Sequence, residues 1–287
     1  MPKRPNGKAL TARLAALQKQ ARDCSYAGKY SESATYLHKC LRLMGGAPGS
    51  PTSDQLVLWN ELGMVYKYLG KLTIARKFYR LALQHASSCL TGRDRNGFLA
   101  DLYHNLGGLE HACRQFNRGE QYARKSLQFR ARVAGASSIA IAADRAALAA
   151  ILDGLCSFEE SQKLYRQALK TYRRIYGKSH REIALILNNL AAIYLATGRP
   201  TLAEAHCKAA LAMKQRELGE THPDLAITLN NLAMLYATLG RREDAQVCFK
   251  KAVKLLDDSL GKSHPTTLTV KRNVRKHQLR RWKQSPR

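Results

Sequence analysis

Residues 177–260 contain one unit written twice, 42 residues apart. GKSHREIALILNNLAAIYLATGRPTLAEAHCKAALAMKQREL is followed by GETHPDLAITLNNLAMLYATLGRREDAQVCFKKAVKLLDDSL. Gly177 maps onto Gly219, His180 onto His222, Asn188-Asn189 onto Asn230-Asn231, Tyr194 onto Tyr236 and Gly198 onto Gly240. Self-similarity at a period of this size marks a solenoid, a quasi-linear body whose units touch only their neighbours. It overrides the expectation of about two globular domains that length alone would give.

The register runs on in both directions. From Leu232, steps of 42 reach Leu190, Leu148 and Leu106. A step of 44 reaches Leu62 and a last step of 42 reaches Gln20, while Val274 anchors a half-unit at the other end. The two residues gained before Leu106 are expected in the loop around Ser87–Asn96. The unit anchored at Leu62 reads Trp59-x-x-Leu62-Gly63-x-x-Tyr66, Gly70, Ala75-x-x-x-Tyr79, Ala82-Leu83. Leu62 and Tyr66 lie one turn apart on a helix face. Gly63 and Ala75 are small where two helices cross closely, and Gly70 ends the first helix, where a residue able to take φ > 0 is wanted. The unit anchored at Leu148 is weaker, with Cys156 in the glycine place and Ser161 in the alanine place. The first unit is weakest, with Gln20, Cys24, Ser33 and Cys40, as expected of a terminal unit with one face in water.

These positions match the tetratricopeptide pattern. The period is 42 instead of the usual value of about 34 residues. The longer period, the L-N-N-L-A core and the G-x-x-H-P loop together resemble the kinesin light chain type of tetratricopeptide repeat. The resemblance covers about residues 10–275, specific in the last two full units and generic in the first four. It implies an all-α, right-handed superhelical solenoid of about six helix pairs with a C-terminal capping helix. It also implies a concave groove that binds extended peptide segments, which in that family belongs to a cargo adaptor. No coiled coil accompanies the repeats, so motor attachment is not carried over. The expected division is a basic extension over 1–8, the solenoid over 9–262 with units anchored near 20, 62, 106, 148, 190 and 232, and a basic capping helix and tail over 263–287. The Gly/Pro/Ser-rich stretch 43–53 reads as a loop between units.

Two features point to binding surfaces. Count each unit so that its anchor leucine is position 7. Position 6 then holds Asn105, Asn189, Asn231 and Asn273, with Ala147 interrupting, and position 5 holds Asn60, Asn188 and Asn230. Asparagine is a mediocre helix former, so its recurrence inside helices needs a reason. A ladder of amides along a groove can pair with the backbone of an extended peptide; the alternative is that the amides bond between neighbouring units and set their spacing. Position 6 faces the groove in repeats of the resembled type. The rest of the lining, including Met234, is small, apolar and amide-rich, and Lys19, Arg22, Arg272, Lys276 and Arg280 stand at its two ends.

The second feature is charge. Lys and Arg number 48 against 21 Asp and Glu, a formal net charge of +27. Such an excess favours acidic protein, nucleic acid or anionic membrane as a partner. Much of it sits on second helices, as in the stripe Lys163, Arg166, Lys170, Arg173, and the last seventeen residues add eight cations and no acid, ending with Arg280-Arg281-Trp282-Lys283. A stripe of this kind suits a phosphate backbone, whose recognition is non-specific and salt-dependent.

Other classes find little support. The seven cysteines include no C-x-x-C pair, and several fall in apolar helical registers, as free buried thiols do in a reducing compartment. We read that compartment as the cytoplasm, with the nucleus or an organelle as alternatives. Residues 1–22 carry six cations and no acid, a transit-peptide bias, but Leu14, Leu17 and Ala21 already read as the first helix. No apolar run approaches the roughly 18 residues of a membrane span. Gly177-Lys178-Ser179 lacks the upstream glycine and strand of a phosphate-binding loop. His180, His222 and His264 fall in a row as loop and helix-start residues. Nucleophile, base and oxyanion donor do not converge, so no enzyme, cofactor or metal is expected. The reading is a protein-interaction scaffold or adaptor that takes an extended, acidic-flanked peptide in its groove. The alternative is an RNA- or ribonucleoprotein-associated protein that uses convex cations and the tail. Oligomeric state is not legible in the sequence.

Overall fold

A computed structural model describes residues 7–45 and 51–283, with side chains from 9 to 276 outside the gap. Residues 1–6 of the expected basic extension and the side chains of Arg280 and Arg281 thus lie outside the described residues, while Gly7 and Lys8 already belong to the first helix. The helices are α1 (Gly7–Tyr26), α2 (Tyr30–Met44), α3 (Ser53–Tyr68), α4 (Leu72–Cys89), α5 (Gly92–Ala112), α6 (Phe116–Ala131), α7 (Ser138–Gly154), α8 (Phe158–Tyr176), α9 (Arg181–Ala196), α10 (Pro200–Leu218), α11 (Asp224–Thr238), α12 (Arg242–Ser259) and α13 (Pro265–Lys283). There is no strand among the described residues. The chain forms two compact units, Met1–Leu155 and Cys156–Arg287. In the first, α1 packs on α2, α3 on α4 and α5 on α6; in the second, α9 packs on α10 and α11 on α12. First helices also stand beside one another, α3 by α5 and α5 by α7, and α9 by α11 and α11 by α13.

The turns explain why each helix pair closes. Gly70, Gly198 and Gly240 take φ of 72, 74 and 76°. The N–H after each reaches back to the first helix: Lys71 to the Tyr66 carbonyl at 2.9 Å, Arg199 to Tyr194 at 2.7 Å and Arg241 to Tyr236 at 2.9 Å. These are helix-ending bonds that require a left-handed residue. Two side-chain-bearing residues hold the same conformation, Arg114 at φ 59° and Cys156 at φ 61°. Cys156 therefore fills the glycine place that its register assigned it.

The close crossing expected at Gly63 is present. A Cβ built there would lie 2.4 Å from Tyr79 Cε1, and Tyr79 is fully buried. Around it, Ala75, Tyr79 and Ala82 meet Leu102, Leu106 and Leu109. Cys40, Cys207 and Cys248 are buried and Cys24 half-buried.

The histidines start helices. His180, His222 and His264 each accept, on Nδ1, the backbone N–H two residues on, at 3.3, 3.2 and 3.1 Å. That satisfies a donor left open at the N-termini of α9, α11 and α13. One expectation needs correction. The two residues gained before Leu106 do not enlarge a loop, because only Leu90 and Thr91 separate α4 from α5. They extend α5, which runs for 21 residues against 16 in α3 and α9.

Candidate functional site

The asparagines of neighbouring first helices bond to each other. In the first unit Asn105 donates its Nδ2–H to Asn60 Oδ1 at 3.0 Å. In the second, Asn273 donates to Asn230 Oδ1 at 3.0 Å, Asn230 to Asn231 Oδ1 at 3.4 Å, and Asn231 to Asn188 Oδ1 at 3.2 Å. A continuous chain of four amides thus crosses α13, α11 and α9. The rule is simple: the position-6 amide donates to the position-5 amide of the preceding unit. Asn188 is buried within this chain, and Asn230, Asn231 and Asn273 are half-buried. Asn189 departs from it. By sequence register, position 5 of the preceding repeat is Ala146, which has no amide, and half-buried Asn189 makes no side-chain hydrogen bond among the described residues.

Apolar groups flank the amides. Leu185, one turn before Asn189 on α9, and Ile227, its equivalent on α11, are each 43% exposed. Met234 is half-buried on the same helix as Asn230 and Asn231. The face thus sets side-chain amides beside exposed and half-buried apolar groups.

The cations divide. Lys163, Arg166, Lys170 and Arg173 are exposed on α8, and none has a carboxylate within ion-pair distance among the described residues. An open cleft of about 670 Å³ brings Lys163, Arg166 and Lys170 together with Arg199 but leaves out Arg173. Arg272 and Lys276 are exposed on α13, beside Lys271, which pairs with Asp257 at 2.7 Å.

Pattern reading missed the buried charges. In the first unit Arg130 of α6 donates from Nε to Asp144 Oδ2 of α7 at 2.8 Å and from a terminal nitrogen to Asp101 Oδ1 of α5 at 2.6 Å. His104 Nδ1 lies 2.9 Å from the other Asp144 oxygen. Burial by itself would raise the Asp144 pKa, but hydrogen bonds with His104 and Arg130 prevail and hold it below the usual carboxylate range. In the second unit Lys214 takes the place equivalent to Arg130. Its ammonium reaches the Asp224 carbonyl and Thr228 Oγ1, both at 3.0 Å, and burial depresses its pKa against the opposing pull of Asp224. At position 6 of the unit anchored at Leu62, burial raises the Glu61 pKa, and its Oε2 has no partner among the described residues. Asp153 on α7 is pushed up to about 6 by burial. No helix among the described residues is long and apolar enough to cross a membrane.

The same architecture is found in solved proteins. BtubC (BKLC) from P. vanneervenii matches with a TM-score of 0.54 and 22% identity, covering 88% of this chain and 93% of that one. NprR in complex with its cognate peptide NprX gives a TM-score of 0.66 at 16% identity, over 88% and 70% of the two chains. A Rap protein complexed with Competence and Sporulation Factor gives 0.62 at 13%, over 88% and 78%. No curated protein matches the sequence. Tetratricopeptide repeat family models match residues 56–87, 99–140, 145–182 and 182–258, together well over half of the chain. With these matches laid over helix pairs closed by left-handed turns, this chain belongs to the tetratricopeptide repeat family.

Proposed function

We propose that this protein is an interaction scaffold whose first helices take an extended peptide segment of a partner protein. The observation that carries the reading is Asn189. Its side-chain amide makes no hydrogen bond among the described residues, and it is set one turn from exposed Leu185 and beside the amide chain of Asn188, Asn230, Asn231 and Asn273. Those amides each keep donors or acceptors beyond their bonds to one another, since one amide offers two N–H groups and one carbonyl. A peptide backbone pairs with the remaining groups, while Leu185, Ile227 and Met234 receive alternate apolar side chains. Exposed Arg272 and Lys276 suit acidic residues flanking the bound segment. The fold likeness to NprR, solved with its cognate peptide, and to Rap, solved with Competence and Sporulation Factor, supports the reading.

Selection of displayed random peptides on the immobilised protein tests it. Wild type is expected to enrich peptides with spaced apolar residues. Ile227→Asp loses them, and Asn189→Ala weakens them by about tenfold, the size of one lost hydrogen bond. Because Asn189 bonds to no other described residue, its removal leaves the melting temperature unchanged. An identical peptide set, bound equally well by both variants, would sink the proposal. The exposed and unpaired cations of α8 favour a second reading, association with RNA. A pulldown from lysate with and without nuclease separates the two.

A further inference from the structure

The second unit contains one arrangement twice, and the copies differ in charge. On the α10–α12 side, Glu204 gathers three groups. Lys208 Nζ lies 2.7 Å from Oε1. Arg241 donates to both carboxylate oxygens at 3.0 and 3.3 Å. Tyr236 donates its hydroxyl at 3.3 Å, and its ring lies 4.2 Å beneath the Arg241 guanidinium. Arg241 has a second carboxylate in Asp244, at 2.8 Å.

The residues 42 earlier are Gln162, Arg166, Arg199, Tyr194 and Leu202. Both cations and the aromatic platform are kept: Arg166 for Lys208, Arg199 for Arg241 and Tyr194 for Tyr236, with the Arg199 guanidinium 5.6 Å from the Tyr194 ring. Both carboxylates are gone. Gln162 stands for Glu204 and Leu202 for Asp244. Among the described residues Gln162 accepts only a 3.4 Å bond from Arg166, and Leu202 is exposed. Lys163 and Lys170 add two more cations to the same cleft, against one carboxylate, Glu159. Like charges held together without counter-charge repel, and an anion seated among them removes that repulsion.

We propose that the cleft between α8 and the α9–α10 turn is a binding site for a phosphoryl dianion, which supplies the two negative charges that Glu204 and Asp244 supply to the sister arrangement. Arg166 and Arg199 present planar guanidinium donors suited to a phosphoryl group, and Lys163 and Lys170 act as point charges at its rim. The opening of about 670 Å³ admits a phosphoryl group together with the molecule that carries it. The site is separate from the amide face of the first helices and does not rest on the peptide reading.

Isothermal titration with inorganic pyrophosphate and with a phosphoserine peptide tests the site, with the unphosphorylated peptide as control. One saturable site per chain is expected. The double variant Gln162→Glu with Leu202→Asp restores the sister's carboxylates and weakens binding at least tenfold. It melts at or above wild type, so the loss is not a folding failure. Arg199→Gln weakens binding as well, while Lys250→Gln on α12 leaves it unchanged. Tighter binding of pyrophosphate assigns the site to a free phosphate compound, and tighter binding of the phosphopeptide assigns it to a modified partner. Absence of saturable binding, equal affinity in the double variant, or affinity that only grows with the length of an RNA oligomer regardless of variant would each overturn the proposal.

Discussion

At the residue scale, small side chains at fixed places decide whether a helix pair can close. Gly63 faces the Tyr79 ring so closely that an added Cβ would meet three ring carbons between 2.4 and 2.8 Å. Tyr79 is fully buried, so the ring cannot swing away without displacing Ala75, Ala82 and Leu106 of the same cluster. Gly63→Ala is therefore expected to cost about 1–3 kcal/mol, the usual range for overpacking a filled core. Urea denaturation of variant and wild type would read this as a lower midpoint with an unchanged slope. The need for a small residue at Gly63 was legible from its place one step after the anchor leucine. The asparagines were legible only in part. Their spacing marked them as a set, but whether amides 43 apart face each other depends on how neighbouring first helices lean. Sequence separation does not report that. The geometry gives the bonding between neighbouring first helices, and Asn189 takes no part in it among the described residues.

At the scale of helices, the last four full repeats each bury, on the second helix, the side chain at the place 18 residues before the following anchor. Tyr172 and Leu256 fill it with buried apolar side chains. Arg130 and Lys214 fill it with cations. In a chain whose second helices are rich in Lys and Arg, these two look like any other outward charge, which is why pattern reading passed over them. The register alone pointed the other way, since the same place is occupied by Tyr and Leu in the alternate units. Arg130 reaches α5 and α7 at once through Asp101 and Asp144. Asp144 is almost fully buried, so removing its arginine leaves a carboxylate with His104 as its remaining partner in the cluster. Arg130→Met is expected to destabilise the first unit by about 3–5 kcal/mol, and Arg130→Met with Asp144→Leu to recover most of that loss, because an apolar pair of similar volume replaces the buried ions. Denaturation of wild type, single and double variants measures both. A single variant as stable as wild type would show that the cluster does not join these helices.

At the scale of the whole chain, the 42-residue period carried the architecture, since one helix pair repeated with its turns dictates its neighbours. What it did not carry is the balance of acids with shifted pKa values, which governs how stability responds to pH. Asp144 and Glu204 are held below the ordinary carboxylate range. In Asp144 the hydrogen bonds with His104 and Arg130 overcome the opposing effect of burial; in Glu204 the bond from Lys208 leads. An acid with a depressed folded pKa contributes stability above its unfolded pKa and loses it as pH falls through the folded value. Asp153 has the opposite sign. Burial raises it from 3.8 to about 6, so the folded chain keeps that proton to a higher pH than the unfolded chain does. Its effect is to lower stability as pH rises through the interval between those two values, and to leave stability lower above it. Asp153→Asn removes this penalty. The variant is expected to melt higher than wild type above about pH 6, and the gap should close as pH falls to about 4. The difference between the two melting profiles is the quantity to read. The 48 lysines and arginines stay charged over this range, and the titration of the other acids and the histidines is nearly alike in both proteins and cancels in the difference, as does acid loss at Asp144 and Glu204. A gap that stayed constant from pH 4 to 8 would mean that Asp153 titrates as an ordinary surface carboxylate, and that the face of α7 on which it lies is open to water.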